Sequence, residues 1–388
     1  MVKKTFLGYK RDDGTVGIRN HVLILPTVVC SGHVARRIAE EVKGTIALVH
    51  EHGCAQSGDD KEQTKRTLAG IAMNPNVSAV LVVGLGCEGI DAPELVEKIV
   101  KSKKPVEMLV IQDNGGSLKS IEKGIEIANK LVGYASLLTR EEVGIESLIV
   151  ATQCGGSDAC SGISGNPASG YASDLVVKAG GTVILAETTE MIGAEHLLAQ
   201  RTANEEVAEK LLRFVKRVED RAKSIGVDIR LANPAPGNIA GGLTTLEEKS
   251  LGAVVKAGST TINEIVEYGE KPSSKGLVIM DSPGHDMASI AGELASGAQI
   301  VTFTTGRGTP AGSPIAPVIK IATNTTMFNR MSDNMDINAG TIVDGTETIE
   351  EVGERIFNEI LEVASGKLTK NEILGHRELS IDRMYPNY

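Results

Sequence analysis

The sequence predicts an α/β fold built of two Rossmann-like portions with largely parallel sheets. Three observations lead there. Short, β-branched, nearly continuous apolar runs recur along the chain, as strands buried on both faces require. Amphipathic stretches of helical period separate them, so the strands are joined by crossovers and lie parallel. The length of 388 residues exceeds what one hydrophobic core usually supports, ~250–300 residues. A polar stretch at 138–146 marks the joint, giving an N-terminal α/β domain over 1–140 and a C-terminal α/β domain over 141–388.

In the first portion, strands are expected over 21–28, 45–50, 78–84 and 106–112. Helices are expected over 33–42, 60–72, 92–102 and 116–132. Pro26 lies inside the first run and predicts a short or distorted strand. Beyond the joint, strands are expected at 147–153 and 182–187, then a long charged helix at 204–225. Proline and glycine forbid regular structure over 232–244, until Thr244 or Thr245 caps a helix at LEEKS with Glu247 or Glu248 completing the box. Segment 276–286 is a strand running into a turn, 299–308 a strand running into a glycine turn, and 317–324 a strand ending in Asn324. A helix over 348–365 closes the pattern.

Composition narrows the function. Aromatic residues make up 3% with no Trp, so the core is aliphatic. A net charge of −10 argues against a general nucleic-acid binder, which needs a basic face. No apolar run approaches the ~18 residues of a membrane span. The start carries no apolar signal region, so the expected location is cytoplasmic. Five cysteines, an odd number, make a disulfide framework a poor reading; buried thiols, metal ligands and reactive thiols remain.

Ligands of open parallel sheets bind beyond the carboxyl ends of the strands. There the sequence puts Cys30, then His50-Glu51-His52-Gly53-Cys54, then Gly84-Leu85-Gly86-Cys87-Glu88, then Cys154-Gly155-Gly156-Ser157-Asp158. A single cysteine there is more often a small buried hydrophobe. Several at equivalent positions beside glycines point to a site. His50, His52 and Cys54 are spaced two apart, so on extended chain they share a face and two can ligate one ion. Thiolate with imidazole suits iron or zinc and not magnesium. The GK[ST] of a Walker A is absent and no GxGxxG follows the first strand, with Gly84-Leu85-Gly86 only a weak echo, which disfavours nucleotide chemistry. Cys, His and carboxylates at strand ends, with Arg307 and Lys320, fit a metal-assisted reaction on a carboxylate-bearing substrate. Arg307 can hold that carboxylate by a bidentate pair.

The segments GYKRDDGTVGIRN (8–20), HGC (52–54), GLGCE (84–88), CGGSDACSGISGNP (154–167), GNIAGGLTTLEEKSLG (237–252), FTTGRG (303–308) and MDINAG (335–340) resemble the altronate/galactarate dehydratase family over nearly the whole chain. The resemblance extends to large subunits of that family acting on (2R)-sulfolactate. It implies a lyase. A base removes the C2 proton of a 2-hydroxy acid and the C3 group leaves, as water from a sugar acid or as sulfite from sulfolactate. A non-catalytic binding subunit is the rival of another class. The resemblance also implies iron, with Cys54, Cys87 and Cys154 converging on one centre and His50 as a further ligand. Mononuclear ferrous iron and an iron–sulfur cluster both stay open. His52, His285 and Lys249 are the expected acid–base residues. Arg307, Gly308, Thr305, Lys320 and Asn324 are the expected substrate contacts. Family chains carry a small N-terminal β-clip (SAF) domain that this sequence does not show, so a separate small SAF subunit is expected as partner, in an oligomer.

Overall fold

The apolar runs are strands. In the computed structural model, which describes residues 5–387, they are β1 (Thr5–Lys10), β2 (Val16–Gly17), β3 (His21–Pro26), β4 (Thr45–Ala47), β5 (Val77–Gly84), β6 (Val106–Val110), β7 (Glu141–Gly144), β8 (Ile149–Cys154), β9 (Thr182–Leu185), β10 (Ile262–Val266), β11 (Gly276–Met280), β12 (Ile300–Thr305), β13 (Val318–Ala322) and β14 (Ile337–Asn338). Four make a parallel sheet of order β4-β3-β5-β6. Seven make a second sheet of order β10-β11-β9-β8-β12-β13-β14, also parallel throughout. The fold is therefore α/β with parallel sheets.

Three features differ from the sequence expectation. The polar joint is structured: β7 within it pairs antiparallel with β1, which also pairs with β2. Its charged residues sit on a small exposed sheet, where they need no burial. Strand β10 (INEIV) was hidden because Asn263 and Glu264 interrupt its apolar run. The stretch 232–244 contains a short helix, Pro236–Ala240, because proline at the first helical position starts a helix and does not break it. Pro26 simply ends β3. The helix at LEEKS begins at Leu246, and Thr245 is its cap, accepting the Glu248 N–H at 3.1 Å.

Alternation along the strands separates three layers of core. Val22, Ile24, Leu81 and Val83 face helices Gly32–Glu41 and Ser117–Ser136. Val150, Leu185, Ile279 and Ile321 share one cluster with helices Gly165–Lys178 and Ile349–Ala364. The layer between is common to both sheets: Leu23, Leu25, Val80 and Val82 join Ile184, Met280, Val301 and Phe303. Helices Gly58–Met73 and Asp286–Ala295 meet there. Gly70 is the contact point, since a Cβ on it would lie 2.5 Å from the Ala295 carbonyl oxygen. Gly70→Ala must push backbone from backbone, and a loss of about 1–3 kcal/mol is expected in denaturant melts.

The last residues cross this seam. Ile381 enters the shared core. Asp60 accepts from the Arg383 guanidinium at 2.9 Å and from the Met384 N–H at 2.8 Å. Gln63 donates to the Asp382 carbonyl at 3.0 Å, and the Asp382 N–H donates to the Tyr268 hydroxyl at 3.2 Å. No helix among the described residues is long and apolar enough to cross a membrane.

Candidate active site

At the carboxyl end of β8 the chain turns into CGGSD, and the Cys154 side chain stays buried. Its thiol donates to Glu190 Oε2 at 2.8 Å, and Lys256 Nζ stands 3.0 Å from its sulfur. Glu187 follows β9 at a φ of +67°, a left-handed conformation costly for a residue with a Cβ. Its carboxylate Oε2 accepts the Cys154 N–H at 3.0 Å and pairs with Lys256 at 2.8 Å. Glu190 pairs with Lys249 at 2.8 Å and lies 3.5 Å from Lys256. Two carboxylates, two ammoniums and a thiol thus share a site from which water is nearly excluded.

Their titration follows from that crowding. Burial, then the neighbouring Glu190, push the Cys154 thiol up, so it stays protonated. Burial and Glu190 likewise push Glu187 up to about 7. Burial opposes the charge on Glu190, but Lys249 and Lys256 hold its carboxyl below the usual range. Burial also opposes the charge on Lys256, yet Cys154, Glu187 and Glu190 keep it an ammonium. Asp286 lies against this group: a Cβ on Gly155 would meet its Oδ2 at 2.4 Å. Burial, then Glu190, raise Asp286 to about 6.

Cys154 Sγ and one oxygen each from Glu187 and Glu190 lie within 4.8 Å of one another, a donor triad compatible with a metal. Among the described residues no other Cys, His, Asp and Glu group of three is that compact. Lys256 already bonds to its thiol and to Glu187, so an ion there would have to replace the ammonium.

The loops around the site have divided roles. The Arg307 side chain is exposed, while its N–H holds the Gly156 carbonyl at 2.9 Å. Thr305 Oγ1 accepts the Gly308 N–H at 2.9 Å, which fixes the glycine turn. Asn324 is occupied on both sides of its amide: it caps the next helix through Met327 N–H and donates to Asp158 Oδ2 at 2.9 Å. Lys320 is fully buried, bonded to the Thr309 and Ala311 carbonyls, and burial lowers it to about 8. Asn324 and Lys320 therefore brace the loop in this structure. His285 is exposed, and its Nδ1 accepts the Ala288 N–H at 3.3 Å, leaving Nε2 outward. A 270 Å³ cavity beside Lys249 is lined by Ser157, Asp158, Ser161, Asn166 and Glu248 among others.

The histidines and thiols of the first sheet are arranged differently from the expectation. His50 is buried, its Nε2 donating to the Pro26 carbonyl at 2.8 Å and its Nδ1 accepting the His52 N–H at 3.2 Å. Both ring nitrogens are used, so no lone pair is left for a metal; burial lowers its pKa to about 4. His52 donates to the Ile381 carbonyl at 3.1 Å. Cys54 and Cys87 are exposed on loops of the first sheet, whereas buried Cys154 keeps company with Glu187, Glu190 and Lys256. The structure thus unites Cys154 with Lys249, but it does not gather the three thiols into a single-ion set. Glu187 and Lys256 went unread because nothing local marks a carboxylate or lysine as buried.

Comparison with known proteins supplies the family. The second domain of D-galactarate dehydratase/altronate hydrolase matches residues 8–136, and the D-galactarate/altronate dehydratase C-terminal domain matches 145–387. Over 388 aligned residues the chain is 39% identical to the (2R)-sulfolactate sulfo-lyase subunit beta of Chromohalobacter salexigens, covering 98% of each. It is 37% identical to an altronate dehydratase of Bacillus subtilis, over 97% of this chain and 77% of that one. It is 40% identical to the galactarate dehydratase (L-threo-forming) of Escherichia coli, over 94% and 73%. With both parts matched and three such relatives, the chain is a lyase belonging to the D-galactarate/altronate dehydratase family.

Proposed function

We propose that the chain removes water from a sugar acid of the altronate or galactarate type and yields a 2-oxo-3-deoxy acid. The observation that carries this reading is Asp286, raised to about 6 beside the Glu190–Lys249 pair, because a carboxylate poised near neutrality suits proton abstraction. The exposed guanidinium of Arg307 binds the substrate carboxylate. Asp286 takes the C2 proton, and the Lys249 ammonium offsets the charge that develops on the enediolate. The C3–O bond breaks with its electron pair, and the departing hydroxide takes the proton that Asp286 removed from C2 and leaves as water. The enol then becomes the 2-oxo acid. Iron is the cofactor this reading calls for; Cys154, Glu187 and Glu190 would hold it, and it would supply Lewis acidity. A small SAF subunit is its proposed partner, in keeping with a relative that is itself named a subunit.

The second reading, sulfite elimination from (2R)-sulfolactate, is favoured by the 39% identity to a sulfo-lyase subunit across 98% of both chains. Release of 2-oxo acid from altronate, galactarate and sulfolactate decides between them. The expected result is turnover of a sugar acid. Sulfite from sulfolactate, with no sugar acid consumed, replaces the first reading by the second.

A further inference from the structure

We propose that Cys30, Cys54 and Cys87 form an iron–sulfur cluster site at the carboxyl edge of the four-stranded sheet, separate from Cys154. Strands β3, β4 and β5 are neighbours and parallel, so the loops that follow them emerge at one edge, and each loop carries one of the three cysteines. The loops are tied together. Val29 N–H donates to the His52 carbonyl at 2.9 Å, and Gly89 N–H to the Gly53 carbonyl at 2.8 Å. Glu88 accepts from the Thr27 hydroxyl at 2.7 Å and from the N–H groups of Leu85 and Gly86 at 3.0 and 2.6 Å. Gly53, at a φ of +99°, allows the close approach, since a Cβ would lie 2.2 Å from the Thr27 carbonyl oxygen. Every cysteine is thus within two residues of a direct link to a neighbouring loop.

All three thiols are exposed and free. Cysteine is among the most buried residue types, so three exposed together call for a ligand. Spacing argues against a single ion. A single tetrahedral ion with ~2.3 Å bonds holds its sulfurs about 3.8 Å apart. The three thiols do not form a set within 4.8 Å, so they are too widely spread for one ion as they stand. In a cluster each thiolate takes its own iron and bridging sulfides span the gap. Gln112 Nε2, 3.6 Å from Cys87 Sγ, supplies an N–H···S contact of the kind that tunes cluster sulfurs. Three thiolates on a cubane leave one iron without a protein ligand.

Anaerobic reconstitution of the full chain with ferrous iron and sulfide tests this. About four iron and four sulfide per chain with visible absorbance are expected. Cys30→Ser, Cys54→Ser and Cys87→Ser should each lose most of both, with circular dichroism unchanged, while Cys154→Ser and Cys160→Ser keep them. Loading should also shield Cys30, Cys54 and Cys87 from alkylation, read by mass spectrometry on the unmutated chain. Iron without sulfide, no iron, or a cluster that survives Cys30→Ser overturns the proposal.

Discussion

Lys256→Met should cost about 3–5 kcal/mol of stability and abolish turnover. The methionine fits the space but leaves Glu187 and Glu190 facing each other in a region closed to water, with only Lys249 as counter-charge. Removing one member of a buried ion group strands the others, and that desolvation penalty exceeds the worth of the lost bond. Urea melts of the two proteins give the difference. Adding Glu187→Gln to Lys256→Met removes the stranded charge and should recover part of the loss, a coupling that separates charge imbalance from poor packing. A single variant that loses less than about 1 kcal/mol would mean that Lys256 does not hold this site together.

Asp286→Asn should lower kcat/KM by about 10²–10⁴-fold, as loss of a general base does. Its pH profile carries the diagnosis. Only the carboxylate can accept a proton, so activity of the unmutated protein should rise as pH climbs through about 6 and then level. That limb should vanish in the variant. Stability should move the other way. Burial disfavours the ionised Asp286, whose folded pKa lies above its ordinary value of 3.8, so ionisation becomes a growing cost as pH rises from about 4 through 6. Asparagine never ionises, and the variant should melt no lower than the parent at pH 7. A variant that keeps full activity with the same limb removes Asp286 from the reaction.

The sequence showed the strands that are apolar from end to end. The run SAVLVVG could only be a strand buried on both faces, and β5 is that. β10 was masked by two polar residues, and β7 by two glutamates that an exposed antiparallel pair tolerates. In the site, Cys154 stood out because a thiol beside two glycines at a strand end is locally unusual. Lys256 sits in VVKAG, where a lysine looks like any solvated side chain. It becomes a buried counter-ion only through contacts with residues 66 to 102 positions away. His50 misled for the converse reason: alternate spacing suggested a shared ligand face, whereas both its nitrogens bond to backbone. Sequence spacing reports direction along a strand and is silent about what the rest of the fold brings opposite.

The crossing of the seam by residues 381–384 bears on how the protein is made. Asp60, Gln63 and Tyr268 find their partners in Asp382, Arg383 and Met384, which are translated after the strands of both sheets. The first sheet, complete by residue 110, can assemble while the ribosome is still working. Its lock onto the second sheet cannot close until residues 381–384 have cleared the exit tunnel. A nascent chain whose residues 381–384 are still inside the tunnel should therefore hold two folded sheets with an unfastened joint, and its Asp60 side of that joint should be open to protease until those residues emerge.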